Sequence, residues 1–498
     1  MKKSLWQKYN KQRKFTSVDK SMSTDILIIG AGITGVSVAY NLLNTNHDII
    51  LIDKDICFND TTAKTTGKIT YLQDLKYQDI YKACGYEKAK LYYESQKDAI
   101  RLIKKNIKDN EIDCDLEKTE MVTFTKDESK IKDFELEKEL LSSFGVKYST
   151  TSNLKDDDVV RQSSVKNAYT FNPIKYLNGL MDKIKDAKNI SVYENSIATK
   201  IKKEKSKYVT IVNGYEIRTN KIVLACSYPF FTLPGLIPLK TYLEKSYVSY
   251  AKIKDAKNIA GITSGNPFYS FRYYDDGKDK YIIYLNNSCK ISDKLNYKKN
   301  YNDCKDEIKS LDNNLKVEYW TNMDVMTNDY LPLVGKISDD DKNVLIATGY
   351  NTWGMTNSAI SAKLISDIIM GKKNKYKELF DPSRPVTFKR ALNFVNNTFF
   401  GTLKAYTLNL IKKNPSWYKN KALVTKIDGK RVGVYIDSKG EKHIVSNICP
   451  HLKCFLTFNE VDKTWDCPCH GSRFDVDGNV VKGPSCYNIK IDETNSKV

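Results

Sequence analysis

The sequence predicts an α/β domain of the Rossmann type with an interleaved antiparallel β-sheet domain, followed by a C-terminal all-β module. Three features of the 498 residues indicate this architecture. A glycine-rich turn joins an apolar strand to a helix within residues 25–53. Strand-like patterns occupy residues 191–225 and 244–289, and short strands with Asp-Gly and Lys-Gly turns follow from about residue 417.

The glycine-rich turn is a dinucleotide-binding fingerprint. Gly30, Gly32 and Gly35 have Gly-x-Gly-x-x-Gly spacing, and a second apolar run ends at Asp53. The first glycine makes the tight turn, the second lets the backbone approach a pyrophosphate, and the third allows close helix–strand packing. The helix N-terminus then binds the phosphates, and the acid accepts a ribose hydroxyl. The fingerprint alone does not distinguish FAD from NAD.

Two further segments are predicted to approach the same cofactor. Thr61 and Thr62 begin a run of hydroxyl-bearing residues after the second strand, and the alternative for this run is an ordinary solvated loop. Residues 342–370 again follow the order strand, glycine turn, helix. This second unit suits the far side of a cofactor site.

Two cysteine–histidine clusters near the C-terminus indicate an iron–sulfur centre. Cys449 and His451 form the first, Cys467 and His470 the second, in the order typical of a Rieske [2Fe–2S] centre. Two of the four histidines of the chain therefore lie in these motifs. A tetrahedral zinc site is the less favoured alternative, because such sites usually show Cys-x-x-Cys spacing.

The charge of the chain does not predict nucleic-acid binding. The formal net charge is +20, but only nine of the 80 basic residues are arginines, and the lysines are scattered among acidic residues. Arginine supplies the bidentate contacts to bases and phosphates. We therefore expect no nucleic-acid partner, and a general attraction to acidic surfaces stays open.

The chain contains no apolar run long enough for a transmembrane helix. Residues 1–23 are predicted to be a polar, basic and frayed leader without the apolar region of a secretory signal. We therefore expect a cytoplasmic protein. An apolar helical stripe in 390–412 is predicted to dock within the molecule, with a partner or peripheral membrane contact as alternatives.

Together these motifs resemble the FAD-dependent oxidoreductases of the D-amino-acid-oxidase/glycine-oxidase type, in the subgroup with a C-terminal Rieske [2Fe–2S] domain. The resemblance covers nearly the whole chain. Its marks are Gly30–Gly35 with Asp53, Thr61–Lys64, Ser270–Arg272, Asp329–Gly335, Thr348–Tyr350, Trp353–Met355 and the Rieske motifs.

The resemblance implies FAD rather than NAD in the Rossmann site. The implied cofactor-binding residues are Gly30, Gly32, Ile33, Thr34, Gly35, Asp53, Lys54, Thr61, Thr62, Gly349, Trp353, Gly354 and Met355. It also implies that Cys449 and Cys467 bind one iron, and that His451 and His470 bind the other. It further implies a disulfide between Cys454 and Cys469 that braces the two cluster loops, residues 449–454 and 467–472, which carry the Cys/His motifs.

The sequence departs from the family pattern at two positions of the Rieske module. Lys453 stands where glycine is typical, which puts the conformation of its loop in question. Phe474 stands where high-potential Rieske proteins have a tyrosine that donates toward a cysteine sulfur, whereas Ser472 is retained. We expect a middle-to-low reduction potential, because losing a donor lowers it.

The predicted domains follow from these motifs. The oxidoreductase spans 24–372, and the Rieske domain spans 416–498 after a helical linker at 373–415. The FAD-binding parts are predicted at about 24–75, 155–226 and 327–372, and the substrate-domain parts at about 76–154 and 227–326.

The predicted function is oxidation of a small amine-like or amino-acid-like substrate by FAD. Electrons then pass to the cluster and on to an unknown acceptor, a protein or a quinone, because a flavin converts two-electron into one-electron chemistry. Arg272 is the candidate partner for a substrate carboxylate, with a surface or ion-pair arginine as the alternative. The competing function is an electron-transfer component without small-molecule turnover.

Overall fold

The computed structural model describes residues 3–154, 156–230, 237–293, 296–385 and 418–491. The strands are, in chain order, β1 (Met22–Ile29), β2 (Ile49–Ile52), β3 (Lys68–Ile69), β4 (Glu117–Thr125), β5 (Arg161–Thr170), β6 (Ile190–Tyr193), β7 (Ala198–Glu204), β8 (Lys207–Val212), β9 (Tyr215–Leu224), β10 (Thr241–Ile253), β11 (Ile259–Thr263), β12 (Tyr269–Asp275), β13 (Lys280–Lys290), β14 (Glu318–Thr327), β15 (Leu333–Lys336), β16 (Val344–Thr348), β17 (Lys421–Ile427), β18 (Lys430–Ile436), β19 (Lys442–Ser446), β20 (Thr457–Asn459), β21 (Thr464–Asp466), β22 (Arg473–Phe474) and β23 (Val480–Lys482).

The α-helices of the described residues lie between these strands and, with one exception, before residue 370. They are α1 (Ile33–Asn41), α2 (Lys76–Cys84), α3 (Tyr86–Asp109), α4 (Ile131–Ser143), α5 (Pro173–Lys185), α6 (Ile237–Lys240), α7 (Tyr297–Lys309), α8 (Gly354–Ile369) and α9 (Lys377–Phe380). Short 3₁₀ helices occupy Leu5–Tyr9, Thr61–Lys64 and Glu128–Lys130. None of the described helices has the length and apolar character needed to cross a membrane.

The first sheet has the order β15-β16-β9-β1-β2-β6, with the β7–β8 hairpin attached to β9. The strands from β16 to β6 are parallel, and β15 is an antiparallel edge. Alternate residues of β1 pack into different cores, Ile26 and Ile28 on one face and Leu27 and Ile29 on the other. Burial on both faces explains the continuous apolar run of this strand.

The second sheet has the order β14-β10-β13-β12-β11-β4-β5-β3 and is antiparallel except for the β11–β4 pair. The predicted fold class of a Rossmann-type domain with an antiparallel sheet is confirmed. Asn213 and Gly214 form the turn of the β8–β9 hairpin, because Val212 pairs with Tyr215 across it. Both turn residues have positive φ, as a two-residue hairpin requires.

Two predicted boundaries differ from the structure. Strand β5 pairs with β4 in the second sheet, so the FAD-binding fragment predicted to begin at about 155 starts only after this strand. The short strand β3 also joins the second sheet, through β5. A sequence pattern does not indicate which strand a given strand pairs with, and these strands pair with strands that are distant along the chain. The predicted linker lies outside the described residues from 386 to 415.

The N-terminal segment is packed rather than frayed, which corrects the leader prediction. Leu5 and Trp6 are buried, and Trp6 Nε1 donates to Thr65 O at 2.6 Å. Arg13 forms an ion pair with Asp182 at 2.8 Å. Two apolar side chains within a basic segment were too weak a pattern to predict this docking.

The C-terminal module contains two small antiparallel sheets, β17–β18–β19 and β20–β21–β22–β23. Its core includes Val445, Leu456, Trp465 and Phe474 together with the buried cysteines of the Rieske motifs. A side chain at Gly433 would overlap the Trp465 ring, at 2.5 Å from its nearest carbon. The core is small and lies directly against the two cluster loops.

Candidate redox site

The turn between β1 and α1 requires its glycines. Gly30 has φ +106°, and a Cβ there would lie 2.7 Å from Ala225 O on the neighbouring strand connection. A Cβ on Gly35 would overlap the carbonyl oxygen of Gly30. The turn is therefore as tight as the fingerprint predicts.

The N-terminus of α1 is held against the 3₁₀ helix at Thr61–Lys64. Thr62 Oγ1 accepts a hydrogen bond from Ile33 N at 3.0 Å. Thr34 Oγ1 lies 2.9 Å from the hydroxyl of Tyr350, which follows β16. The hydroxyl of Thr61 is buried and has no hydrogen-bond partner among the described residues. This end of the helix therefore offers donors to a phosphate.

Asp53 lies immediately after β2, where a ribose-binding acid is expected. Its Oδ2 accepts from Ala31 N at 2.7 Å, and its Oδ1 accepts from Asp55 N at 3.0 Å. Burial raises the pKa of Asp53 to about 6, although both backbone hydrogen bonds oppose this shift. The carboxylate is thus fixed at the tip of the strand beside the glycine turn.

The segment between β16 and α8 faces the first turn from the other side. Gly349 has φ +74°, and a Cβ there would overlap the Thr327 side chain. Trp353 is the N-cap residue of α8, and its backbone N–H donates to Tyr350 O at 3.0 Å. The turn at Gly349 therefore places the segment between β16 and α8 next to the fingerprint turn.

These elements enclose a cavity of about 570 Å³. Most of the predicted cofactor-binding residues line it: Gly30, Gly32, Ile33, Thr34, Asp53, Lys54, Thr61, Thr62, Gly349, Gly354 and Met355. Gly35 and Trp353, also predicted, do not line it. The helix N-terminus, the Thr61 hydroxyl and the Asp53 carboxylate form a donor and acceptor set that fits a dinucleotide. The individual cofactor-binding roles stay predictions.

Arg272 does not line this cavity, and its predicted role toward a substrate carboxylate is corrected here. The side chain is fully buried, and its Nη1 donates to the carbonyl oxygens of Thr66, Gly67 and Phe171 at 3.0–3.1 Å. The guanidinium carbon lies 5.6 Å from the centre of the Trp6 ring. Arg272 therefore stabilises the backbone behind the cavity, and the pattern around it did not reveal which way its side chain points.

The four predicted cluster ligands converge in the Rieske module. The imidazole rings of His451 and His470 lie 5.1 Å apart. Both ring nitrogens of His451 and Nδ1 of His470 are buried without a hydrogen-bond partner among the described residues. A hydrogen bond to Cys467 lowers the pKa of the Cys449 thiol. Unpartnered imidazole nitrogens beside paired thiols fit a [2Fe–2S] cluster, and the ligand assignment stays a prediction.

The two cluster loops are joined by a disulfide between Cys454 and Cys469, the pair implied by the family resemblance. Lys453 has φ +60°, the left-handed conformation that glycine adopts easily. Lys453 thus adopts the backbone conformation that a glycine favours at this position. Ser472 Oγ accepts from Ser485 N at 2.9 Å, and Phe474 is fully buried.

The cluster loops dock directly on the oxidoreductase. Tyr228 is buried, and its ring lies 5.3 Å from that of His470 and 6.4 Å from that of His451. His470 and Gly471 also line the cavity that contains the fingerprint. The cavity is therefore shared by the two modules.

A buried charge network strengthens this docking. Lys245 on β10 has 1% side-chain exposure, and its Nζ lies 3.6 Å from Asp466 of the Rieske module. Asp462 pairs with Arg473 at 2.7 Å and accepts from Tyr301 Oη on α7 at 2.7 Å. Sequence reasoning missed this interface, because scattered lysines and tyrosines carry no signal of which ones meet an acid.

Comparison with known proteins agrees with this geometry. The family model described as FAD dependent oxidoreductase matches residues 25–368, and the Rieske [2Fe-2S] domain model matches residues 409–492. The Rieske 2Fe-2S iron-sulfur protein YhfW of Bacillus subtilis (strain 168) is 30% identical over 500 residues, which cover 98% of this chain and 97% of that protein.

Solved structures share the fold of the oxidoreductase part. Glycine oxidase from Geobacillus kaustophilus superposes with a TM-score of 0.61 at 13% identity, over 73% of this chain and 100% of its own. L-Proline dehydrogenase from P. horikoshii has a TM-score of 0.59 at 16% identity, over 73% and 98%. The predicted cofactors, FAD and a [2Fe–2S] cluster, are confirmed. The chain belongs to the FAD-dependent oxidoreductase family and carries a C-terminal Rieske [2Fe–2S] domain.

Proposed function

We propose that the protein oxidises a small amine-like or amino-acid-like substrate with FAD, and that the electrons pass to the Rieske cluster and on to an acceptor. The shared cavity carries this proposal, because His470 lines the same cavity as Gly30 and Gly32 of the dinucleotide fingerprint. When bound, FAD accepts two electrons together and a [2Fe–2S] cluster exchanges them singly.

The chain's own residues support transfer within one molecule. Tyr228 and His470 both line the cavity, the Tyr228 ring lies beside both imidazoles, and the imidazole nitrogens that lack partners among the described residues are buried. The network of Lys245, Asp462 and Asp466 holds the two modules together. A fixed arrangement favours electron transfer between the modules over a freely diffusing carrier.

The fold supports the substrate class, and the histidine count restricts the mechanism. Glycine oxidase, L-proline dehydrogenase and an L-amino acid deaminase share the fold of the oxidoreductase part. Outside the predicted cluster ligands the chain has only His47 and His443. His47 precedes β2, and His443 pairs with Asp477 within the Rieske module. Neither lines the cavity, so we propose a reaction without a histidine base.

An anaerobic titration tests this function. Amino acids, amines and 2-hydroxy acids are added to the holoprotein, while flavin absorbance at about 450 nm and the EPR signal of the reduced cluster are recorded together. A substrate should bleach the flavin and then produce the cluster signal. In Cys449→Ser, the same substrate should bleach the flavin without the cluster signal. Cys84→Ser, at a cysteine that neither lines the cavity nor belongs to the Rieske module, should behave as the wild type.

The competing function predicts a different result. If no small molecule bleaches the flavin and only a protein partner reduces it, the chain is an electron-transfer component. Bleaching without any electron arrival at the cluster in the wild type would refute the relay. The acceptor, a protein or a quinone, and the cytoplasmic location are further parts of the proposal, and both derive from the sequence.

A further inference from the structure

A segment of the Rieske module forms one wall of the cofactor cavity. This covering segment, residues 479–488, includes β23 and contributes most of its residues to the cavity lining. Gly30, Gly32 and Asp53 of the fingerprint line the same cavity. The thiol of Cys486 donates to Ala198 O at 3.2 Å, and this contact ties the segment to the first sheet. The Rieske module thus closes the cavity over the fingerprint.

Lys482 is the cation that the covering segment brings into this cavity. Its side chain has 12% exposure, and its Nζ lies 3.3 Å from Asp60 Oδ1. Lys64 Nζ lies 3.1 Å from the same oxygen, and Lys54 Nζ lies 3.9 Å from Oδ2. Three ammonium groups therefore surround one carboxylate, which leaves two positive charges locally uncompensated.

The other acids of the cavity wall do not neutralise this cluster by direct contact. Asp53 is bound to two backbone N–H groups beside the glycine turn. Asp55 accepts from Ile56 N and from Asn59. Burial raises the pKa of Asp324 to about 6, with Lys482 as an opposing influence, and its hydrogen-bond donor is Asn322.

The lysine cluster lies next to the phosphate-binding end of α1. Asp60 immediately precedes the 3₁₀ helix of Thr61 and Thr62. Thr62 is bonded to Ile33 N at the start of α1, and the buried hydroxyl of Thr61 lacks a partner among the described residues. Burial lowers the pKa of Lys482 to about 8, so its positive charge is costly there unless an anion compensates it. A diphosphate carries the two negative charges that the cluster lacks.

We propose that Lys482 binds the diphosphate of FAD, and that the covering segment thereby makes the Rieske module part of the flavin-binding site. The inference depends on FAD, which the family establishes, and is independent of the proposed substrate. It explains why a lysine of one module is buried in the cofactor cavity of the other. It also means that the Rieske module contributes to holding the flavin as well as to electron transfer.

FAD binding to the full-length apoprotein tests the proposal. The dissociation constant is measured by fluorescence titration for the wild type, Lys482→Gln and Lys482→Arg. Lys482→Gln should raise it about 10-fold to 100-fold, the range for loss of a charge-assisted hydrogen bond. Lys482→Arg should recover most of the affinity, and salt should weaken FAD binding more in the wild type than in Lys482→Gln.

Two comparisons separate this role from a structural one. Lys426→Gln removes the same charge from an exposed position on β17 and should change the FAD dissociation constant by less than about 2-fold. Riboflavin, which has no phosphate, should bind the wild type and Lys482→Gln equally. Wild-type FAD affinity in Lys482→Gln would overturn the proposal. An equal loss of riboflavin and FAD affinity that Lys482→Arg does not restore would overturn it as well.

Discussion

Replacing Gly471 with alanine tests the docking of the Rieske module on the oxidoreductase. Gly471 has φ +74°, and a Cβ there would lie 2.8 Å from Met323 Sδ and 3.0 Å from Leu243 Cδ1. A left-handed conformation costs a residue with a Cβ about 1–2 kcal/mol. Forcing a methyl group into a packed apolar contact costs about 1–3 kcal/mol more. Gly471→Ala should therefore lower the free energy of unfolding by about 2–5 kcal/mol.

Gly429→Ala provides the matched control in the same module. Gly429 has φ +76°, and a Cβ added there would have no heavy atom within 4 Å among the described residues. This variant should lose only the conformational part, about 1–2 kcal/mol. The difference between the two variants, about 1–3 kcal/mol, measures the contact with the second sheet.

Urea unfolding measures both variants, with the visible circular dichroism of the cluster and the flavin absorbance as separate signals. In the Met323→Ala background, Gly471→Ala should cost less than in the wild type, because the truncated side chain makes room for the methyl group. Equal losses in Gly471→Ala and Gly429→Ala, with no coupling to Met323, would refute the docking described here.

Three further predictions concern single side chains. Lys453→Gly should raise the free energy of unfolding by about 0.5–1 kcal/mol. Glycine removes the strain of the φ of +60°, and this gain exceeds the cost of the extra conformational entropy that glycine has in the unfolded chain. A lower urea midpoint would contradict this. Trp6→Ala should lower the free energy of unfolding by about 3–5 kcal/mol and weaken FAD binding, because Trp6 is fully buried and hydrogen-bonded to Thr65 of the cavity wall. Thermal unfolding and FAD retention on gel filtration measure the two effects. Retained FAD with unchanged stability would contradict the prediction. The pKa of Asp53 is raised to about 6 in the folded state, so the folded apoprotein binds more protons than the unfolded chain between about pH 4 and pH 6. The free energy of unfolding of the wild type should therefore fall with rising pH in this window, relative to that of Asp53→Asn. Parallel pH profiles of the free energy of unfolding in the two proteins would exclude the effect.

Local motifs in the sequence carry much of the candidate site. Gly30 and Gly349 predict tight turns, Gly35 predicts close helix–strand packing, and the structure explains each by an atom that a Cβ would meet. The continuous apolar run of β1 predicts a strand buried on both faces. These predictions succeed because the cause lies within a few residues of the pattern.

The direction of individual side chains was not predictable in the same way. Arg272 follows a strand pattern that suits a ligand cavity, yet its guanidinium binds backbone carbonyls behind that cavity. The leader contains Trp6, which is buried against a loop about 60 residues further along the chain. Strand periodicity indicates which residues share a face, but the partner on that face depends on how the sheets and segments pack.

The sequence by itself determined the two cofactor-binding modules, since the glycine fingerprint and the Cys/His motifs are local patterns with a direct chemical reason. Only the tertiary structure decided how the modules meet: Tyr228 beside both imidazoles, Lys245 against Asp466, and Lys482 in the flavin cavity. The physical reason is that these contacts join residues up to 422 positions apart, Asp60 and Lys482. No spacing within a sequence specifies such a pair, because packing of whole sheets brings the two residues together.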